Sequence, residues 1–178
     1  MDKKEIRKAV RERLGSLEPA AAAAASERIF ASVAEMPEFA AARTVALYMS
    51  LRGEPRTEPL LREWQGRKRL VVPRVCGSDM EFFDYDPAAM LRGSFGIAEP
   101  DGSTPPCRTE DIDLMIVPAV AYTCDGVRLG RGGGYYDRYM SRPGFRAFKV
   151  GVCFGVQIAD ELPAEPHDVC VDRVAAAD

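Results

Sequence analysis

L-M-I-V-P-A-V-A-Y, residues 114–122, followed after a short polar turn by R-L-G-R-G-G-G-Y-Y-D, residues 128–137, decides how this chain is read. The first run is apolar, short and rich in branched side chains, the pattern of a buried strand. The second crowds glycines at 130, 132, 133 and 134 between Arg128, Arg131 and a Tyr-Tyr-Asp that starts a helix over Tyr135 to Met140. A strand, a glycine-rich turn and a helix start let backbone N–H groups approach an anion with no Cβ in the way. Asp137, in the first helical turn, is also comfortable there beside the helix dipole. The run lacks the G-K-[ST] ending of a Walker A loop. Nor does it sit in the first strand-turn-helix unit, as a dinucleotide fingerprint would. On composition alone a mobile surface loop and a phosphate site weigh equally.

Outward from this stretch, helices alternate with strands. Asp2 and Glu5 form the pattern of a capping box, and Ile6, Val10 and Leu14 mark the apolar face of a first helix. Lys3, Arg7 and Arg11 share an adjoining face with Lys4 and Lys8 beside them; this is either a solvated basic face or a rail laid across an anion site. Glu18-Pro19 opens an alanine-rich second helix running to Met36, where Pro37 stops it. T-V-A-L-Y-M-S-L, residues 44–51, reads as the first strand, and the loop after it, Arg52 to Thr57, as a candidate for substrate contact. Glu54 in that loop is either a heterocycle acceptor or a solvent-facing turn carboxylate. Thr57 caps a helix carrying Leu60, Leu61 and Trp64, with Trp64 as a core anchor and Gly66 as the stop. Strands are predicted over 68–75, 80–85 and 148–155, a short helix over 156–161, and a turn with a last short strand within 163–172. Residues 86–113 are a long polar excursion. The sum is one α/β domain over residues 1–178, three layers deep, with a mainly parallel central sheet flanked by helices in the Rossmann-like manner.

Composition narrows the function classes. A length of 178 residues fits one domain, and a net charge of −3 excludes a generally basic nucleic-acid footprint. No apolar run approaches the roughly 18 residues of a membrane span, and the start, M-D-K-K-E-I-R-K, is a charged helix and not a signal peptide. A cytoplasmic protein without membrane or nucleic-acid partners is expected. Cys76, Cys107, Cys124, Cys153 and Cys170 form no C-x-x-C pair and suggest neither a disulfide framework nor zinc; three lie in or beside apolar runs and read as buried reduced thiols. His167 is first a turn residue.

Several separated motifs agree with one family. The chain resembles 5-formyltetrahydrofolate cyclo-ligases, also called methenyltetrahydrofolate synthetases, through V-P-A-V-A-Y-x-x-x-G-x-R-L-G-R-G-G-G-Y-Y-D-R-Y at 117–139, the K-x-x-x-R start at Lys3 and Arg7, E-P-R-T-E-P-L-L at 54–61, G-I-A-E-P at 96–100 and the closing G-V-C-F-G-V-Q to E-P-H-D-V-x-V-D at 151–172. The resemblance implies ATP- and Mg2+-dependent closure of 5-formyltetrahydrofolate to 5,10-methenyltetrahydrofolate. By it, Lys3, Lys4, Arg7 and the loop Arg128, Leu129, Gly130, Arg131, Gly132, Gly133, Gly134, Tyr135 and Tyr136 are the ATP contacts. Met49, Glu54 and the loop from Arg131 to Tyr135 face the folate, Arg131, Tyr135 and Tyr136 are the catalytic positions, and Asp137 with Asp168 holds magnesium. Two segments depart from the family's pattern, Pro55-Arg56 and Tyr122-Thr123, with Asp125 standing near the second. A monomer is expected, a weak homodimer being the alternative. Competing readings are a folate- or nucleotide-binding regulatory protein without turnover, and an α/β sugar-phosphate isomerase.

Overall fold

A computed structural model describes residues 1–93 and 96–178. Its centre is a six-stranded sheet built from β1 (Thr44–Ala46), β2 (Arg69–Cys76), β3 (Asp79–Asp84), β6 (Leu114–Pro118), β9 (Phe148–Phe154) and β10 (Arg173–Ala177). The order across the sheet is β10-β9-β6-β1-β2-β3, and every pair is parallel except the β2/β3 hairpin. Two small antiparallel ribbons complete the strands: β4 (Met90–Arg92) with β5 (Ala98–Pro100), and β7 (Ala121–Tyr122) with β8 (Arg128–Leu129). The helices are α1 (Lys3–Gly15), α2 (Pro19–Ala34), α3 (Pro37–Ala41), α4 (Glu58–Trp64) and α5 (Tyr135–Met140).

Period-two alternation divides the sheet's two faces. Val45, Leu70, Val72, Leu114, Ile116, Val150 and Val152 point to one side, against Ile29, Phe30 and Val33 of α2 and Trp64 of α4. Ala46, Val71, Met115, Val117 and Cys153 point to the other, against Tyr139 and Met140 of α5. Trp64, 1% exposed, is the anchor its sequence context predicts, with the Phe39 ring 4.5 Å away. This gives the three layers.

Several boundaries differ from the sequence reading. Pro37 does not stop α2; that helix ends at Ala34, and Pro37 opens α3, where its missing N–H costs nothing. The strand predicted over 44–51 ends at Ala46: β6 partners only Val45 and Ala46, and a last bond from Leu47 N to Val71 O closes the pairing with β2. The run 114–122 is two strands. At Pro118 the chain leaves the sheet, and the buried Gln157 amide donates to Ala119 O and Val120 O at 3.1 and 3.0 Å, clamping the bend that starts β7. Arg128 and Leu129 are therefore strand residues. The 156–161 helix is a 3-10 turn over Gly155–Gln157. The last strand is Arg173–Ala177, not part of 163–172, since Val171 N–H is spent on Gly126 O and Asp172 N–H on Lys149 O. Among the described residues of the excursion 86–113 lie β4, β5 and the 3-10 turns Pro87–Ala89 and Thr109–Asp111.

Of the five cysteines, all free, Cys107 and Cys153 are buried and the other three exposed, so fewer thiols are buried than predicted. Burial pushes the Cys153 thiol up to about 12, which makes it unreactive near neutrality. No helix among the described residues is long and apolar enough to cross a membrane.

Candidate active site

Strand order reverses between β1 and β6, since the chain builds β1, β2 and β3 outward on one side and β6, β9 and β10 on the other. Loops leaving the carboxyl ends of two such strands diverge and open a crevice between them. Here those loops are residues 47–57 and the segment that carries the glycines.

The first loop is tied by internal hydrogen bonds. Tyr48 donates its hydroxyl to Pro55 O at 2.6 Å, and burial pushes that phenol well above its ordinary range. Thr57 makes no side-chain cap; its Oγ1 donates to Tyr48 O at 2.7 Å, which corrects the capping role read from the sequence. Pro55, itself buried, is thus tied into the loop through its carbonyl. Glu54 is turned inward, with Oε2 accepting from Leu51 N at 2.8 Å. It is a buried residue, not a solvent-facing one.

The glycine segment begins where α1 lies over the β7/β8 ribbon, Val10 packing with Ala121 and Leu129. Arg7 then donates Nε to Gly130 O at 2.8 Å, so one member of the basic row reaches the loop. Gly132 and Gly134 have φ of 111° and 69°, a backbone region that strains other residues. A Cβ on Gly133 would stand 2.8 Å from the Tyr135 ring. α5 has only six residues, so the positive character of the loop comes from side chains more than from a helix end. The guanidinium of Arg131 donates through Nε and Nη2 to Glu54 Oε1 at 3.0 and 2.8 Å. Arg128, whose side chain is 4% exposed, pairs with Asp137 at 2.8 Å and lies 5.9 Å from the Tyr136 ring centroid. Its buried Nε has no hydrogen-bond partner among the described residues. Burial raises the Tyr136 hydroxyl pKa far above its ordinary value, so the group is a neutral phenol at every physiological pH.

These side chains border a cavity of about 410 Å³. It brings together Met49, Glu54, Arg128, Gly130, Arg131, Gly133, Gly134, Tyr135, Tyr136 and Asp137 of the residues singled out in the sequence. Leu129, 1% exposed, serves the core beneath α1 and offers no side chain to a ligand. Lys4 points to solvent, as do Lys8 and Arg11, so only Lys3 and Arg7 of the basic row turn toward the loop region. Lys3 bonds Asp168 at 2.8 Å and Glu165 at 3.1 Å. Gly132 lies outside the cavity wall, facing Arg7. Sequence reasoning missed Glu99, a buried carboxylate in the wall, and the apolar wall residues Pro73, Val75, Met80 and Ile97. The only signal was the presence of Glu99 in G-I-A-E-P.

The two aspartates are linked through the backbone. Asp137 Oδ1 accepts from Val169 N at 3.0 Å, next in sequence to Asp168. Asp168 is drawn up by burial, but the Lys3 hydrogen bond and the Glu165 N–H outweigh that and hold its pKa below the ordinary carboxylate value. The same bond to Asp168 raises the Lys3 pKa. Ligand-type atoms of Glu165, His167 and Asp168 lie within 4.8 Å of one another, with His167 in a turn as predicted. Thr123 bonds Asp125 and accepts from Val127 N at 3.0 Å, so the Tyr122-Thr123 departure closes the β7/β8 turn. Tyr122 itself is buried, its hydroxyl donating to Val117 O at 2.7 Å.

A sequence profile describing the 5-formyltetrahydrofolate cyclo-ligase family matches residues 1–177. A 5-formyltetrahydrofolate cyclo-ligase of Mycolicibacterium smegmatis is 34% identical over 140 residues, 74% of this chain and 72% of that protein. The Escherichia coli K12 protein of the same name is 29% identical over 175 residues, covering 93% and 94% of the two chains. Among solved structures, the Aquifex aeolicus 5,10-methenyltetrahydrofolate synthetase superposes with a TM-score of 0.89 at 35% identity, covering 99% of this chain and 90% of that one. A Mycoplasma pneumoniae 5,10-methenyltetrahydrofolate synthetase gives 0.79 at 26% identity, covering 98% of both.

Proposed function

The chain belongs to the 5-formyltetrahydrofolate cyclo-ligase family, and from that premise we propose that it uses ATP and Mg2+ in the cytoplasm to convert 5-formyltetrahydrofolate into 5,10-methenyltetrahydrofolate, releasing ADP and phosphate. A formamide oxygen is a poor leaving group. Transfer of the γ-phosphoryl group to that oxygen makes the carbon electrophilic; N10 then attacks it, and phosphate departs with the former formyl oxygen as the ring closes. Such a reaction asks the protein for positioning and charge neutralisation and not for a covalent nucleophile.

One observation carries the reading: Glu54 and Met49 from the first loop border the same cavity as Arg131 and the backbone of Gly130, Gly133 and Gly134. A triphosphate held along the glycines would bring its terminal group toward a folate lying against the first loop. Arg131 is the cation at that junction, and Tyr135 and Tyr136 line the cavity beside it. Arg7 supplies further positive charge at the loop's outer edge, and Lys3 stands over the Asp168 carboxylate.

The donor set suits magnesium. Asp137 and Asp168 offer hard oxygen ligands, the Asp137 carboxylate accepting from the N–H of Val169, the residue after Asp168, and Mg2+ favours one or two carboxylates completed by water and phosphate oxygens. When bound there, the ion would supply charge neutralisation to the polyphosphate. Arg128 and Lys3, which neutralise these carboxylates here, are the groups a metal would displace.

Absorbance tests the proposal, since the methenyl product absorbs in the near ultraviolet and the formyl compound does not. Growth of the band only when ATP and Mg2+ are both present is expected. Folate binding without product would support the regulatory reading and overturn this one.

A further inference from the structure

Resting on the cyclo-ligase reading, we infer that Gln157 is a positioning residue for the phosphoryl-transfer step: it sets where the glycine segment, and with it Arg131, stands against the first loop. Gln157 is 1% exposed and does not line the cavity. Its amide is engaged at both ends. Oε1 accepts from Phe154 N at 2.8 Å, where β9 finishes, and Nε2 donates to Ala119 O at 3.1 Å and Val120 O at 3.0 Å. One side chain thus ties the bend after Pro118 to the end of a central strand.

β6 and β9 pair as far as Pro118 and Val152, so the carbonyls of Ala119 and Val120 have left the ladder and need another donor. Tyr122 serves Val117 O, upstream of that break; Gln157 serves the two carbonyls downstream of it. What hangs on the downstream side is the glycine segment. Val120 N donates to Leu129 O at 2.8 Å, and Leu129 is followed directly by Gly130 and Arg131. Just after Gln157, Ala159 N adds a second tie, to Tyr122 O at 2.9 Å. From the buried amide to Val120, Leu129 and Arg131, each link is a hydrogen bond or the chain itself. The opposite loop is fixed by its own bonds, Tyr48 to Pro55 O and Thr57 to Tyr48 O, and presents Glu54 to the Arg131 guanidinium. The separation of the two loops therefore depends on where Gln157 holds the bend. Phosphoryl transfer is sensitive to such a separation; ground-state binding, spread over many contacts, is less so.

A double-mutant cycle between Gln157→Met and Arg131→Ala tests this, with methenyl formation as the rate and both KM values measured well below each variant's Tm. Gln157→Met keeps the side-chain volume and removes the amide's bonds. It should lower kcat on the order of 100-fold, as a displacement of about 1 Å does, with both KM values within about threefold. In the Arg131→Ala background the same change should cost less than about fivefold, because the cation it places is gone. Gln157→Asn, one methylene too short to reach every partner, should fall between Gln157→Met and wild type, and it replaces Gln157→Met in the cycle should that variant not fold. The Val120 amide should exchange at least about tenfold faster in the variant used, with the β6 amides unchanged. Val33→Ala, in the helix layer on the other face of the sheet, measures the effect of lost stability alone and should keep kcat within about twofold. Unchanged kcat, full multiplication of the two losses, a KM rise that accounts for the whole loss, or unchanged exchange at Val120 would overturn the inference. Absence of methenyl product from wild type would overturn the ligase reading and the role in turnover together; product from wild type beside an unaffected Gln157 variant overturns the inference alone.

Discussion

Arg131 and Glu54, 77 positions apart in the chain, meet across the cavity with two guanidinium nitrogens on one carboxylate oxygen. The side chain of Glu54 is 5% exposed and that of Arg131 51%, so the carboxylate holds a cation that still faces the solvent side of the crevice. This is the junction between the two loops that flank the sheet's switch point. Replacing Arg131 by Ala should lower kcat by about 10²- to 10³-fold, the usual cost of one lost donor to developing charge, while the folate KM moves much less. Arg131→Lys should recover little, because a point ammonium cannot reproduce the planar fork. Steady-state kinetics with both substrates varied checks this; a pure folate-affinity effect would move Arg131 out of the phosphoryl-transfer role.

Arg128 and Asp137 form the buried counterpart of that pair. Removing one member of a buried pair strands the other, at about 3–5 kcal/mol. Asp137→Ala should therefore lower stability by roughly that amount as well as weaken magnesium-dependent turnover. Asp137→Asn keeps an acceptor for the Val169 N–H and should be better folded. Its apparent Mg2+ requirement should rise at least tenfold with folate affinity nearly unchanged. Thermal melts of both variants and turnover against Mg2+ concentration give the measurement, and an unchanged Mg2+ requirement in a folded Asp137→Asn would end the metal role.

The pattern of the sequence carried the sheet and most of the cavity, for a physical reason. The near-continuous apolar runs at 114–118 and 148–154 report directly on burial of both faces, and a glycine run reports on a backbone that must approach something closely. What the pattern hides is long-range pairing. Arg128 in a glycine run reads as a ligand contact; it does line the cavity, and there it is paired with Asp137. Lys3 reads as part of a basic stripe, yet it finds Asp168, 165 positions later. The split of 114–122 was invisible because both halves are apolar; the bend is imposed by Gln157, a residue from another loop. Glu99 was passed over because a carboxylate in a polar excursion looks like solvent surface until β5 buries it.

Lys3 and Asp168 give a pH dependence whose sign can be worked out. The folded pKa of Asp168 lies below its ordinary 3.8, so its contribution to stability is present above that value and is lost as pH falls through the depressed pKa. The folded pKa of Lys3 lies above its ordinary 10.5, so its contribution is full below that value and is lost as pH rises through the elevated one. The link between α1 and the 163–172 turn should therefore hold from about pH 4 to about pH 10. Lys3→Met should shift the Asp168 carboxyl titration, followed by NMR, toward higher pH. An unmoved midpoint would mean that the two groups do not meet in solution.

Gly133 separates architecture from chemistry. Its φ is not in the positive region, so alanine there is allowed by the backbone, and the residue lies at an exposed position of the loop. The added Cβ would nevertheless come within 2.8 Å of Tyr135 Cε2 and 2.9 Å of Cδ2. The ring must swing, and the space the methyl group takes is taken from the cavity between the two loops. Overpacking at a site this open should lower stability by less than about 1 kcal/mol, below the 1–3 kcal/mol usual in a closed core. Turnover should suffer far more, since a displacement of about 1 Å in reacting groups is enough for a loss on the order of 100-fold. Gly133→Ala is thus expected to melt within a few degrees of wild type and to form methenyl product about two orders of magnitude more slowly. Tyr135→Ala placed on top of it should restore room for the methyl group, so the combined loss should fall short of the product of the two single losses. Strictly multiplicative losses would show that Gly133 and Tyr135 act apart, and that the close approach of ring and backbone does not shape the site.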